Sequence, residues 1–310
     1  MSNERIEGVV FGTAIGDAIG YQVEFQRVMP SAPVVTGMNA SPCLYSDDTQ
    51  MMRAVFEGLL RARTWKDVTK SAREVAEEFV AWSKSPENNR APGNTCMAAC
   101  SNLARGDSWM ESGIPDSKGC GSAMRAMAYG VWFHERPTWK EAAAWAAAHG
   151  TMTHGHPAAS AAAAALAAAV HTLLNEGGPL AFHDAVEAAA CFDVDTSKMI
   201  SQAATLAKGP NAREPDEVLS QWQGWTGDEA VAAALYVFLR HPEDFKAAIL
   251  EAANSPGDSD SIACMVGALV GAHMGVKSIP FAWVNNVEKC DELGVLAHRV
   301  DKAIKASARG

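Results

Sequence analysis

Apolar residues recur at helical spacing along most of this chain. A stripe two residues wide, repeating every four positions, runs through 48–63 and consists of Met51, Met52, Val55, Phe56, Leu59 and Leu60. A stripe of this period predicts an amphipathic helix whose apolar face packs into a core. Similar patterns, mostly in Ala-rich sequence, predict further helices at 68–83, 139–149, 157–174, 182–191, 197–207, 228–240, 243–253 and 261–275.

Alternation of polar and apolar residues, the pattern of a half-buried strand, is nearly absent, and the best run, at 32–35, is weak. No charge run, Pro/Gly linker or low-complexity tract divides the chain. The polar stretches at 85–94 and 209–223 are predicted to be surface loops or lids. The sequence therefore predicts an all-α fold, with residues 1–310 forming a single domain.

Glycines recur at four-residue steps in two of the helical segments. They are Gly8, Gly12, Gly16 and Gly20 in the first segment, and Gly267, Gly271 and Gly275 in the second. A glycine inside a helix costs about 1 kcal/mol relative to alanine, so a repeated glycine on one face needs a structural reason. Close approach of two backbones is such a reason. We therefore expect both helices to lie deep in the bundle and to pack against each other.

Two acidic clusters stand more than 200 positions apart, and each leads into an apolar helical segment. Positions 46–49 carry Ser-Asp-Asp-Thr, and positions 257–261 carry Gly-Asp-Ser-Asp-Ser. Either cluster alone is more typical of a helix N-terminus, where carboxylates cap the free amides. Together, however, four carboxylates and several hydroxyls would repel one another unless a cation lay between them. All-oxygen ligands suit Mg²⁺ or Mn²⁺, so the pair predicts a divalent-cation site.

Composition narrows the classes of partner. The net charge is −10 and Lys and Arg are not clustered, which argues against nucleic-acid binding. Seven cysteines without a CxxC pattern, and an N-terminus without a secretion signal, predict a reduced, cytoplasmic protein. The longest apolar segments, 158–170 and 262–274, are shorter than a bilayer span of about 20 residues. We therefore expect no membrane span.

Five motifs, in order along the chain, resemble those of the ADP-ribosylglycohydrolase family. They are Gly-Thr-Ala-Ile-Gly-Asp-Ala-Ile-Gly at 12–20 followed by Glu24, Tyr-Ser-Asp-Asp-Thr-Gln at 45–50, Gly-Cys-Gly-Ser-Ala-Met-Arg at 119–125, Thr-His-Gly-His-Pro at 153–157, and Gly-Asp-Ser-Asp-Ser-Ile at 257–262. Each motif is short, but their order is specific. The resemblance runs from about residue 6 to residue 283 and covers nearly the whole chain.

The resemblance implies a compact, orthogonal all-α bundle that binds two Mg²⁺ or Mn²⁺ ions. The implied metal ligands are Ser46, Asp47, Asp48, Asp258, Asp260 and Ser261. Glu24, Asp48 and Asp258 would be the catalytic residues, with Glu24 as a gate or proton acceptor. The implied reaction releases ADP-ribose from a protein side chain by cleaving the bond at ribose C1″.

The glycine-rich loop at 119–125 would bind the diphosphate through backbone amides, because glycines let the chain approach an anion closely. The implied ligand-binding residues are Gly119, Cys120, Gly121, Ser122, Met124 and His156. Cys120 departs from the family pattern, in which Asn is common at this position. A turn that precedes a helix is the alternative interpretation of this loop. Trp222 and Trp225 could stack on adenine, although core packing is the better prediction for both.

Several functions stay open at this point. Ser259 and Ser261 are closer to the arginine-specific branch, which favours ADP-ribosyl-arginine on a protein as the substrate. Hydrolysis of an O-linked or small-molecule ADP-ribose derivative is a second possibility. A non-catalytic binding relative would be expected to have broken metal motifs. An immunity protein would be expected to carry an N-terminal extension, whereas about five residues precede the start of the resemblance.

Overall fold

The computed structural model describes residues 2–24 and 34–307, and helices joined by loops make up this part of the chain. The helices are α1 (Ser2–Tyr21), α2 (Asp47–Ala62), α3 (Val68–Ser83), α4 (Asn94–Arg105), α5 (Met127–Trp132), α6 (Lys140–Gly150), α7 (Pro157–Asn175), α8 (Gly178–Ala190), α9 (Val194–Ala207), α10 (Pro215–Leu219), α11 (Gly227–Arg240), α12 (Phe245–Ala253), α13 (Ser259–Met274), α14 (Phe281–Asn286) and α15 (Cys290–Ser307). Within the described ranges, β pairing is limited to three isolated bridges. The predicted all-α fold is confirmed. The weak strand candidate at 32–35 lies partly outside the described residues, and its described half is not in a strand.

The nine helices predicted from periodicity all form, with ends shifted by a few residues. The prediction of a surface loop at 209–223 was partly wrong, because α10 lies inside it and buries Val218 and Leu219. Helices α5 and α14 have six residues each and are too short to show a period. Helix α15 was also missed, although its buried stripe, Leu293, Leu296, Val300 and Ile304, has helical spacing.

Helices α1 and α13 pack backbone to backbone, as the glycine spacing predicts. A methyl group on Gly20 would stand 2.5 Å from the Cα of Asp260, and one on Gly12 would stand 2.8 Å from the carbonyl carbon of Gly267. Both distances are shorter than any real Cβ contact, so only glycine fits at these positions. The close approach brings the C-terminal end of α1 beside the first turn of α13, which carries the second acidic cluster.

Helix α7 is buried along nearly its whole length, and most of its residues are alanine. It begins at Pro157, with His156 as its N-cap. By length and composition α7 could cross a membrane, but 89% of its apolar 18-residue stretch is buried inside the protein. Such burial is typical of a core helix. The assignment of residues 1–310 to one domain stays a prediction.

We predict that Gly267→Ala destabilises the protein by about 2 kcal/mol or more, because the new methyl group forces α1 and α13 apart. The matched control is Gly294→Ala in α15, where the nearest atom to a new Cβ is Phe11 Cζ at 3.9 Å. There, the higher helix propensity of alanine should raise stability by up to about 1 kcal/mol. Urea unfolding of both variants measures the difference. Equal effects in the two variants would contradict this account of the interface.

Candidate active site

The two acidic clusters meet at one point in the folded chain. The Ser261 hydroxyl donates a hydrogen bond of 2.8 Å to Asp48 Oδ1, although the two residues are 213 positions apart. Glu24, Asp258 and Asp260 each place a carboxylate oxygen within 4.8 Å of the other two. The convergence predicted from sequence is therefore present, and Glu24 at the end of the α1 region joins it.

Asp17 holds the first cluster in place. This buried carboxylate on α1 accepts hydrogen bonds from the Ser46 amide at 2.8 Å and the Thr49 amide at 2.9 Å, and from the Thr49 hydroxyl at 2.5 Å. These bonds satisfy amides at the start of α2 that would otherwise lack an acceptor. Asp17 was not among the predicted site residues. Its position as a carboxylate within the glycine stripe of α1 is the signal that could have identified it.

Contacts from three segments hold the second cluster. The Ser259 hydroxyl donates to the carbonyl of Gly20 at 3.1 Å, which ties α13 to the end of α1. The Asp258 amide donates to the carbonyl of Gln223 at 2.7 Å. The Cys120 thiol donates to Asp258 Oδ2 at 2.9 Å, so the residue that departs from the family pattern contacts a predicted metal ligand.

Burial raises the pKa of every carboxyl group in this cluster, and the charge of Asp260 is the second cause for Asp17, Glu24, Asp47, Asp48 and Asp258. The pKa of Asp17 rises to about 7 and that of Glu24 to about 10, while those of Asp47, Asp48 and Asp258 lie well above the usual range. None of these groups, nor Asp260, has a Lys or Arg ion-pair partner within the described residues. Glu24 Oε2 is also buried without a hydrogen-bond partner there.

These features fit a divalent cation. A group of buried carboxylates without a counter-ion is costly, and bound cations remove both the mutual repulsion and the desolvation penalty. The surrounding oxygens, from carboxylates and serine hydroxyls, are the hard ligands that Mg²⁺ and Mn²⁺ prefer. The six positions predicted as metal ligands all lie in this region. Ser46 is fully buried at the N-cap of α2, where its hydroxyl accepts from the Asp48 amide at 3.3 Å.

A cleft of about 440 Å³ opens onto the carboxylates. One wall is the segment 91–96, where the Gly93 amide donates to Asp47 Oδ2 at 3.3 Å. Arg90 anchors this wall, since its guanidinium pairs with Glu288 and donates to the carbonyl of Tyr45 at 2.9 Å. The polar run at 85–94 was predicted as a loop or lid, and its last residues do line the cleft.

The glycine-rich loop forms another wall, next to the 91–96 segment. Gly119, Cys120, Gly121 and Met124, which were predicted to bind the ligand, line the cleft. Ser122 does not, because its hydroxyl points into the core and donates to the carbonyl of Ala159 at 3.0 Å. Glycine is required at position 121, where a Cβ would stand 2.7 Å from the His154 ring and 2.8 Å from Cys96 Sγ.

His154, rather than His156, faces the cleft. His156 was predicted as a ligand contact, but its Nδ1 accepts a hydrogen bond of 3.1 Å from the Ala158 amide. This bond caps α7 and holds the His156 side chain away from the cleft. Both histidines lie in the same Thr-His-Gly-His-Pro motif, and spacing alone does not show which imidazole turns inward.

The two tryptophans separate in the same way. Trp222 is buried in the core, as predicted. Trp225 was also expected to pack in the core, and this was wrong: it is 45% exposed and lines the cleft. The bridge between Gly119 and the neighbouring Thr226 places this aromatic ring beside the glycine-rich loop.

Comparison with known proteins gives a consistent result. The sequence model of the ADP-ribosylglycohydrolase family matches residues 2–309. The chain is 28% identical to the ADP-ribosylhydrolase ARH3 of Danio rerio, with 97% of this chain and 90% of that protein covered. It is 26% identical to the ADP-ribosyl-[dinitrogen reductase] glycohydrolase of Rhodospirillum rubrum, covering 92% and 91%. It is also 26% identical to the ADP-ribosylarginine hydrolase Tri1 of Serratia proteamaculans (strain 568), covering 96% and 79%.

A solved structure described as an ADP-ribosylglycohydrolase-related protein complex superimposes with a TM-score of 0.77. It is 22% identical, and the match covers 98% of this chain and 99% of that one. This similarity establishes the fold.

The raised pKa values predict how metal-free stability depends on pH. A carboxyl group whose pKa is raised by folding stabilises the protein below its unfolded pKa of about 4 and loses that contribution as pH rises through its folded pKa. The folded values are about 7 for Asp17 and about 10 for Glu24. In EDTA, Tm should therefore fall between about pH 5 and pH 9, and Mg²⁺ or Mn²⁺ should reduce the fall.

Asp260→Asn is the diagnostic variant, because the charge of Asp260 raises the pKa of each neighbouring carboxyl group. The fall in Tm with pH should be smaller in this variant than in the wild type when both are measured in EDTA. A wild-type Tm that stays constant or rises over the same range contradicts the prediction, as does an equal slope in the variant.

Proposed function

This chain belongs to the ADP-ribosylglycohydrolase family, and on that premise we propose that it is a metal-dependent ADP-ribosylhydrolase acting on a modified protein side chain, with arginine as the first candidate. The observation that carries the proposal is the convergence of two distant acidic clusters at the cleft, shown by the bond between Ser261 and Asp48. The buried carboxylates there have no counter-ion of their own in the described chain.

The proposed metal ligands are Ser46, Asp47, Asp48, Asp258, Asp260 and Ser261. When bound, two Mg²⁺ or Mn²⁺ ions would supply a water of lowered pKa and coordination positions for the ribose hydroxyls. Asp48 accepts a hydrogen bond from the Ser261 hydroxyl and Asp258 accepts one from the Cys120 thiol, so both carboxylates are held in place. Glu24 lines the cleft with an unpartnered oxygen. Because bound cations would offset the neighbouring negative charges and so lower the pKa of Glu24, we assign it the role of accepting the proton of the attacking water.

The remainder of ADP-ribose would lie along the glycine-rich loop. No Lys or Arg is among the described residues that line the cleft, and the glycine-rich wall offers backbone amides and neutral donors to the diphosphate. Gly119, Gly121 and the imidazole of His154 lie together on this wall. Trp225 presents an aromatic ring at the same edge, where it could stack on a planar part of the substrate.

One relative supports arginine as the modified residue, since its name refers to ADP-ribosylarginine. A second relative, whose name refers to ADP-ribosyl-dinitrogen reductase, supports a modified protein as the substrate. The product would be free ADP-ribose. O-linked and small-molecule ADP-ribose derivatives are the alternative substrates. A non-catalytic binding or immunity relative is the alternative class, and the intact set of six oxygen ligands speaks against it. We further propose a cytoplasmic location, without a nucleic-acid partner or a membrane span.

We predict that Asp48→Ala and Asp258→Ala each abolish metal-dependent release of ADP-ribose while the helical content stays intact, because each removes a central carboxylate of the site. The matched control is Asp195→Ala on α9, a carboxylate whose side chain is 88% exposed. The control should keep full activity. Turnover that persists in either site variant would contradict the metal-dependent mechanism.

Substrate choice is tested with ADP-ribosyl-arginine and ADP-ribosyl-serine peptides, with and without EDTA, by following free ADP-ribose. We expect release from the arginine peptide, loss of that release in EDTA, and recovery with Mg²⁺ or Mn²⁺. Faster release from the serine peptide would assign the O-linked alternative. Binding of ADP-ribose without release from either peptide would favour a non-catalytic relative.

A further inference from the structure

We propose that Arg125 and Thr153 form a buried relay that sets the tautomer of His154, so that Nε2–H of this imidazole points into the cleft as a donor to the ligand's diphosphate. This inference rests on the proposed function and adds two positioning residues to it. Neither of them lines the cleft. Their effect passes through hydrogen bonds behind the glycine-rich loop.

Arg125 is a buried cation without an anionic partner. It is only 2% exposed, and no carboxylate lies within ion-pair distance of it in the described ranges. Its guanidinium donates to the carbonyl of Gly121, lies 4.7 Å from the centre of the Phe79 ring, and donates through Nη2 to Thr153 Oγ1 at 2.7 Å. Burying a charge of this kind is unfavourable. An anion bound on the other side of the loop would offset this unfavourable burial.

The bond from Arg125 constrains the Thr153 hydroxyl. Because Oγ1 accepts from Arg125, its single proton must be given to another acceptor. Two acceptors are in range, the His154 Nδ1 at 2.8 Å and the carbonyl of Gly150 at 3.3 Å. The Gly150 carbonyl already accepts from the amides of Thr153 at 3.1 Å and His154 at 3.0 Å, so both of its lone pairs are used.

The proton of Thr153 is therefore given to His154 Nδ1. The guanidinium reinforces this direction, because a hydroxyl that accepts from a cation becomes a stronger donor. In a neutral imidazole, one nitrogen accepts and the other carries hydrogen. With Nδ1 as the acceptor, the hydrogen stands on Nε2. The buried position, and secondly the charge of Arg125, lower the pKa of His154 to about 3, which keeps the ring neutral.

Nε2 lies at the cleft wall. It would stand 3.1 Å from a Cβ on Gly119 and 3.2 Å from one on Gly121, and it has no hydrogen-bond partner among the residues that the structure describes. The described lining of this cleft lacks Lys and Arg. An oriented N–H donor, with a buried positive charge behind it, is therefore what this wall offers a diphosphate beyond its backbone amides.

The tautomer is measured directly by ¹⁵N NMR of the full-length protein labelled at histidine, with the His154 signal assigned by its loss in His154→Gln. The two neutral tautomers have distinct Nδ1 and Nε2 shifts. We expect the wild type to show unprotonated Nδ1 and protonated Nε2. Wild-type His154 protonated at Nδ1 overturns the proposal, whatever the Thr153 variants show.

Two substitutions at Thr153 test the relay itself. Thr153→Ser keeps the hydroxyl and should keep the tautomer. Thr153→Val keeps the shape, removes the hydroxyl, and should shift His154 toward protonation at Nδ1. It should also weaken ADP-ribose binding about tenfold in calorimetry, as expected for loss of a hydrogen bond to a charged group. An unchanged tautomer in folded Thr153→Val overturns the relay.

The two readouts separate this inference from the proposed function. If ADP-ribose fails to bind the wild type, the proposed function is wrong, and so is the role given to Nε2–H. If ADP-ribose binds and Thr153→Val changes neither the His154 signal nor the affinity, the proposed function stands and the relay is wrong.

Discussion

Helices α1 and α13 touch backbone to backbone, because glycines leave no side chain between them. The positions of both acidic clusters depend on this contact. Asp17, on α1, accepts three hydrogen bonds from the start of α2 and so positions the first acidic cluster. Gly20, one turn further along, lies against Asp260 and accepts from Ser259 in the second cluster. One pair of helices thereby fixes the relative position of carboxylates from both halves of the chain.

The site that results is charged in a way the protein alone does not balance. Burial and the charge of Asp260 act together to raise the pKa of the surrounding carboxyl groups. Helix N-termini and serine hydroxyls offset part of the repulsion, and divalent cations would offset the rest. Behind the glycine-rich loop, Arg125 is a buried positive charge that has no carboxylate partner among the described residues. The cleft suits a ligand with hydroxyls at the end near the carboxylates and phosphates at the end near this loop.

Much of this arrangement could be predicted from sequence because it rests on periodic or repeated signals. The glycine steps predicted the α1–α13 packing, and the surplus of carboxylates in two clusters predicted their convergence. The predictions that were wrong depend on the direction in which a side chain points. His154 and His156 are two residues apart, yet one faces the cleft and the other caps α7. Trp222 and Trp225 differ in the same way, since their positions follow from the path of a loop rather than from a period.

The central claim is that the two acidic clusters share divalent cations at the point where α1 meets α13. Anomalous diffraction from crystals soaked in Mn²⁺ tests it most directly, because the manganese signal locates the ion independently of the protein. We expect manganese bound among Asp47, Asp48, Asp258 and Asp260. Crystals in which these four carboxylates lie together but hold no manganese, or in which the two clusters lie apart, would contradict the claim.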